Sequence, residues 1–123
     1  MTVARLSFKE MCAAFAVTPR TLRYYEYIEL LFPEKQGRNR FYSKQQQTRM
    51  KLIMRGRKFG FSLEDIRRWL QMHDKDGIEA QMRYWIDAAG SQLAALESKR
   101  SQLEAAINEL RALREHSLSV LKR

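Results

Sequence analysis

From Met82 to Leu110, apolar residues recur at intervals that alternate four and three: Met82, Ile86, Ala89, Leu93 and Leu96, then, past Arg100, Leu103, Ile107 and Leu110. A stripe that repeats every seven residues belongs to a helix, and a helix this long cannot bury its own stripe, so it needs a partner helix. The spacing predicts a dimerisation coiled coil over residues 77–112, with those residues as the seam between two copies of the chain. Arg100 stands at a core position of the repeat, where a polar side chain tends to fix register or orientation at a cost in stability. Gly90 is likewise a poor helix-interior residue. Residues 113–123 leave the strict register while Leu113, Leu118, Val120 and Leu121 stay apolar, which predicts a short tail able to fold back on its own dimer.

Most of the charge lies ahead of the coil. Residues 1–76 hold 16 Lys and Arg against 8 Asp and Glu, a surplus of +8, whereas residues 77–123 hold 7 against 6, together making the +9 of the whole chain. Such a surplus attracts polyanions at long range, nucleic acid and anionic membrane alike. No window approaches the roughly 18 consecutive apolar residues of a membrane span, and the opening MTVARLSFKE lacks the apolar centre of a signal peptide. We therefore expect a cytoplasmic protein with no membrane partner. A chain of 123 residues suffices for one small domain and an extended helix, not for two large domains.

Local signals divide residues 1–76 finely. Ser7 and Glu10 have the spacing of a capping box ahead of the apolar stripe Phe8, Met11, Cys12 and Phe15, which predicts a first helix of about two turns. Thr18 followed by Pro19 supplies an N-cap and a first-turn proline, so a second helix starts after a turn of only Ala16 and Val17. Such a tight helix-turn-helix is a recurrent DNA-reading unit. At about 100° per residue, Arg20, Arg23, Tyr24 and Tyr27 fall on one arc of the second helix, and Leu22 points away from them. Pro33, Gly37 and the basic run Lys35, Arg38 and Arg40 ahead of Phe41 and Tyr42 read as a β-hairpin or wing with a cationic tip. Ser43 with Gln46 caps a third helix that Gly60 stops, and Ser62 with Asp65 caps a fourth through Ile66, Trp69 and Leu70. The polar stretch His73 to Gly77 separates it from the coil.

Taken together, Thr18-Pro-Arg-Thr-Leu-Arg-Tyr-Tyr-Glu26, then Leu30, Leu31 and Pro33, Arg40-Phe41-Tyr42 and Gly60-Phe61-Ser62-Leu63-Glu64-Asp65-Ile66 resemble the MerR family of bacterial transcriptional regulators. The resemblance spans most of residues 7–70, with Glu29 where the family usually has glycine and Asn39 where it often has an aromatic residue. It implies a mainly α fold: a winged helix-turn-helix DNA-binding domain over residues 1–76, whose long C-terminal helix forms an antiparallel coiled-coil dimer, with residues 113–123 as a tail. It implies double-stranded promoter DNA as the partner, contacted through Thr18, Arg20, Thr21, Arg23, Tyr24, Tyr25 and Tyr27 of the second helix and Arg38, Arg40 and Tyr42 of the wing. For Tyr25, packing inside stands beside phosphate contact, and Arg38 reads equally as a solvated loop charge. The family mechanism has a dimer on a pseudo-palindromic operator bend and untwist DNA, bringing promoter elements into line for RNA polymerase, which is engaged indirectly. Within the family, residues 17–26, 37–43 and 51–61 look most like regulators of branched-chain amino-acid and acyl-CoA catabolism, which suggests a small-molecule effector such as an acyl-CoA; as a bacterial DNA-binding protein it is expected to be nucleoid-associated.

Other chemistries lack their residues. The single Cys12 lies in the apolar stripe of the first helix and has no second cysteine for a disulfide or a multi-cysteine metal site, and His73 and His116 are isolated. We therefore expect no metal, no cofactor and a non-metal effector. Trp69 and Trp85 read as core residues, or as aromatics lining an effector pocket. No nucleophilic triad, phosphate-cradling glycine loop or paired carboxylate stands out, so no enzyme is expected. Two other functions fit the same features: a ligand-independent repressor or architectural DNA-bending protein, and an interaction module whose long helix recruits a different factor.

Overall fold

The computed structural model describes residues 5–123, without the side chains of His73 and Asp74; the start of the opening segment MTVARLSFKE and the isolated His73 side chain lie outside the described residues. Two compact units divide the chain, Met1–Gln81 and Met82–Arg123.

In the first unit, single side chains set where each helix begins. Strand β1 (Leu6–Ser7) runs into α1 (Phe8–Phe15), where the Glu10 N–H donates to Ser7 Oγ at 3.2 Å and the Ser7 N–H donates to Glu10 Oε1 at 2.8 Å, completing the expected capping box. The first turn of α2 (Pro19–Tyr27) is held by the Thr21 N–H donating to Thr18 Oγ1 at 3.1 Å. Ser43 caps α3 (Lys44–Lys58) through the Gln46 N–H at 3.3 Å, and Ser62 caps the next helix through the Asp65 N–H at 3.1 Å. Each cap of this kind stabilises a helix start by about 1 kcal/mol.

One backbone device ends the first three helices. Val17 N–H reaches Cys12 O at 3.1 Å after α1, Leu30 N–H reaches Tyr25 O at 2.8 Å after α2, and Phe61 N–H reaches Gly56 O at 3.0 Å after α3. The motif needs one residue in the left-handed region, a place usually given to glycine. Only α3 follows that preference, with Gly60 at φ 92°; α1 ends on Ala16 at φ 52° and α2 on Glu29 at φ 63°. Glutamate in place of glycine at position 29 therefore leaves the left-handed turn intact, and its carboxylate pairs with Arg67 at 3.2 Å. Because a Cβ in this region costs about 1 kcal/mol relative to glycine, Ala16→Gly should raise stability by about that amount, a few degrees in Tm. Glu29→Gly should give less, since it also removes a half-exposed ion pair. Thermal melts of the two variants beside the parent check both.

The wing is a three-stranded antiparallel sheet in the order β1-β3-β2, formed with β2 (Glu34–Gln36) and β3 (Asn39–Tyr42). Lys35 pairs with Arg40 and Gln36 with Asn39 across a two-residue loop that places Arg38 at the tip, while Leu6 and Ser7 pair with Tyr42 and Phe41 on the other side of β3. The sheet and helices close over a core that includes Met11, Leu22, Tyr25, Tyr42, Met50 and Ile53.

A 59-residue helical segment, Leu63–Leu121, follows, and it is interrupted at Gly77, whose φ of 87° and ψ of 174° are not helical. It is thus two helices, α4 (63–76) and α5 (78–121). The first turn of α5 is tied to α4 by the buried Gln81, whose Nε2 donates to Trp69 O at 3.0 Å. Residues 113–121 continue α5 as helix. The architecture is the mainly α winged helix-turn-helix with a long C-terminal helix that the sequence predicts. In the second unit the large seam residues are all exposed in the single chain, from Leu96 at 41% to Leu110 at 69%.

Candidate nucleic-acid interface

The helical period sorts α2 as expected. Leu22 is buried in the core, while Arg20, Arg23, Tyr24 and Tyr27 are exposed, Tyr27 at 83%. Thr18 and Thr21 lie at the exposed start of the helix, joined by a 3.0 Å hydroxyl hydrogen bond. On the wing, Arg38 stands exposed at the loop tip and Arg40 points from β3 toward α2.

Two tyrosines expected at the interface are placed elsewhere. Tyr25, at 7% exposure, packs into the core, the inner of its two alternatives, because it lies on the same side of α2 as Leu22. Tyr42 is fully buried, since the strand alternation that leaves Arg40 partly exposed turns Tyr42 inward with it onto the core, and its hydroxyl donates to a Glu26 carboxylate oxygen. It supports the interface from beneath rather than forming it.

Glu26 joins the two elements. Its other oxygen lies 3.0 Å from Arg40 Nε, an ion pair whose N–H is not aimed well enough for a hydrogen bond, so one carboxylate from α2 holds both Tyr42 and Arg40 of β3. Phe8 at the start of α1 supplies a second link: the Arg23 and Arg40 guanidiniums lie 5.5 and 5.8 Å from its ring centroid. Cations over an aromatic face gain about 0.5–1 kcal/mol at exposed sites. Around this arrangement is an open concavity of about 290 Å³, lined by Ser7, Phe8, Lys9, Arg23, Arg38, Asn39, Arg40 and Phe41. Four cations and no carboxylate line it. The spacing of the sequence marks Phe8 only as a member of an apolar stripe and Glu26 only as part of a motif; their roles depend on β3 lying against α1 and α2, which no local pattern reports.

Burial pushes the Tyr42 hydroxyl well above its ordinary range; the hydrogen bond and negative charge of Glu26 add to the rise, and Arg40 opposes it. A raised folded-state value means that the stability from the protonated phenol is complete below about pH 10, where unfolded tyrosine titrates, and is lost as pH rises above it. Tyr42→Phe should cost about 1–2 kcal/mol near pH 7 by removing the hydrogen bond, and should flatten the alkaline loss of stability. Denaturant unfolding from pH 7 to 11 checks the slope. Burial also pushes the Cys12 thiol above its ordinary range, with Arg23 opposing the rise and Glu26 adding to it, and the side chain is half-buried in α1.

Trp69 packs against the core of the first unit, and Trp85 is 37% exposed in the second. Among the described residues, no three His, Cys, Asp or Glu side chains cluster as a metal site would need, and no helix is long and apolar enough to cross a membrane.

The chain matches the model of the family described as MerR HTH family regulatory protein over residues 6–73, and that described as MerR, DNA binding over residues 47–116. It is 35% identical to the HTH-type transcriptional regulator HmrR of Rhizobium leguminosarum bv. viciae over 99 residues, 79% of this chain and 71% of that protein. Among solved structures it is similar to a MerR family transcriptional regulator from Bacillus cereus, with a TM-score of 0.70 and 24% identity over 85% of this chain and 75% of that one. It is also similar in fold to HiNmlR, a MerR family regulator lacking the sensor domain and bound to promoter DNA, with a TM-score of 0.62 and 18% identity over 85% of this chain and 79% of the other.

Proposed function

Because this chain belongs to the MerR family of DNA-binding helix-turn-helix transcriptional regulators, we propose that it binds a pseudo-palindromic promoter operator as a homodimer and controls transcription by bending and untwisting the DNA. Residues 1–76 read DNA, residues 77–112 form the dimerisation helix and residues 113–123 its tail. The observation that carries this function is the convergence of Arg23 from α2 with Arg40 and Arg38 from the wing on one concave, carboxylate-free surface. Such a surface offers one element for base edges and another for the phosphate backbone.

Arg20, Arg23, Tyr24 and Tyr27 face the major groove, with Thr18 and Thr21 contacting phosphate at the helix start. Arg40 and Arg38 grip the backbone beside them. Two such surfaces related by a dyad bend the intervening DNA at a cost of a few kcal/mol, and an effector shifts the balance between two protein–DNA states. RNA polymerase responds to the altered DNA. A single cysteine supports a non-metal effector, and the acyl-CoA class rests on the sequence resemblance alone.

Footprinting should show two protected half-sites with hyper-reactive central base pairs; one asymmetric half-site without central distortion would overturn the remodelling. In vitro transcription with and without acyl-CoA separates an effector-controlled regulator from a ligand-independent repressor. Arg23→Ala should weaken operator binding by about 1–3 kcal/mol and relax specificity at one position of each half-site, whereas Arg38→Ala should weaken all sequences alike and lower the salt slope by about 1. An unchanged isotherm for Arg23→Ala would remove it from the interface.

A further inference from the structure

Self-pairing of α5 is part of the function proposed above, and the register of that pairing rests on it. We propose a register for the antiparallel pair that the family resemblance implies: Leu93 faces the partner's Leu96, Ile86 faces the partner's Leu103, and Arg100 faces the partner's Ala89.

In heptad terms, Ile86, Leu93, Arg100 and Ile107 occupy position a, and Met82, Ala89, Leu96, Leu103 and Leu110 occupy position d. The large apolar members are all exposed in the single chain, so the stripe is uncovered from end to end. A parallel pair in register sets a against a and brings two Arg100 guanidiniums together inside the seam, where like charges shed water without compensation. An antiparallel pair sets a against d and avoids that meeting.

Antiparallel registers that keep a on d differ by whole heptads, and charge and size choose among them. In the proposed register Arg100 meets alanine, the smallest seam residue. That leaves room for the guanidinium to turn outward toward Glu104 of its own helix, which it already approaches at 3.7 Å. The flanking e positions face each other, so Arg83 of each helix opposes the partner's Glu104, twice per dimer. The g positions do the same, setting the large Trp85 against the partner's Ala106 and Lys99 against the partner's Gln92. Sliding one heptad one way sets Arg83 against the partner's Arg111 and stacks Glu97 on Glu97 and Lys99 on Lys99, so that flanking charges meet like charges, while Gly90 against Glu104 and Gln92 against Ala106 add no ion pair. Sliding the other way leaves Leu103 and Ile107 beyond the partner's stripe, together with Leu110, which already overhangs it in the proposed register.

Pairwise cross-linking of the full chain, with Cys12→Ser to remove the native thiol, reads the register directly, because a disulfide forms only where Cα atoms come within about 7 Å. Ala89→Cys mixed with Arg100→Cys should give a covalent dimer that neither protein gives alone. Preferential cross-linking of Ala89→Cys with Ile107→Cys or Leu93→Cys would overturn the register in favour of a slid one, and cross-linking of Ala89→Cys with itself would overturn the antiparallel sense. Sedimentation separates the two levels: a dimeric parent with the wrong cross-link loses only the register, whereas a monomeric parent loses the self-pairing on which it rests. R83E or E104R alone should weaken dimerisation by about tenfold, and R83E combined with E104R should recover it; no recovery would count against the Arg83–Glu104 pairing.

Discussion

Leu96→Asp should dissociate the proposed homodimer and cut operator affinity by about a hundredfold or more. Leu96 lies near the middle of the stripe, and burying a leucine there contributes about 1.5–3 kcal/mol per copy. Aspartate forfeits that contribution twice per dimer and places two carboxylates in an apolar seam, where an unpaired ion is too costly to remain. The dimerisation constant should fall by three or more powers of ten, at 1.4 kcal/mol for each. A single head then has one half-site and few phosphate contacts, so it should bind weakly, with little sequence preference and a shallower salt slope than the dimer. Leu103→Asp should behave alike. Leu118→Asp, equally apolar and exposed in the parent but outside the seven-residue repeat, should stay dimeric, which distinguishes loss of the seam from a general effect of charge on α5. Sedimentation and anisotropy with a labelled operator, each across a range of salt, measure both properties. A Leu96→Asp protein that remains a dimer would falsify the seam.

How much of this could be read from the chain follows from the range of each interaction. The caps at Ser7, Thr18, Ser43 and Ser62 join residues three apart, and the α5 stripe is written in a seven-residue period, so both are visible in the sequence. The left-handed helix ends at Ala16 and Glu29 are not, because neither residue is glycine and the hydrogen bonds that select the conformation come from the backbone. Strand β1 is two residues long and exists only because β3, more than thirty residues later, offers Tyr42 and Phe41 as partners. The same long-range placement of β3 buries Tyr42 and brings Arg40 to Glu26 and Phe8. The exposed cations of the interface were therefore legible from helical period and charge, whereas the residues that hold them in place were not.

Gly77→Ala tests the break between α4 and α5. At φ 87° and ψ 174° the backbone occupies a region essentially reserved for glycine, and nothing lies within 4 Å of where a Cβ would stand, so any penalty comes from the backbone and not from a clash. Alanine should disfavour the break by about 1–3 kcal/mol and favour continuous helix by about 1 kcal/mol. Together these shift the balance between broken and continuous helix by a factor of several tens to about a thousand. Holding the break against this shift are local contacts such as the Gln81 hydrogen bond to Trp69 O, with a net worth of about 1 kcal/mol. The bond is smaller than the shift, so the population of continuous helix through position 77 should rise. The stripe is untouched, and the variant should still sediment as a dimer. With α4 and α5 merged, operator affinity should fall while binding to an isolated half-site persists, as for Leu96→Asp but with self-pairing retained. Slowed amide exchange at residues 75–80 would report the helix closing through position 77. Unchanged exchange there would show that the break tolerates a side chain, and slowed exchange with retained operator affinity would show that operator binding does not need the break.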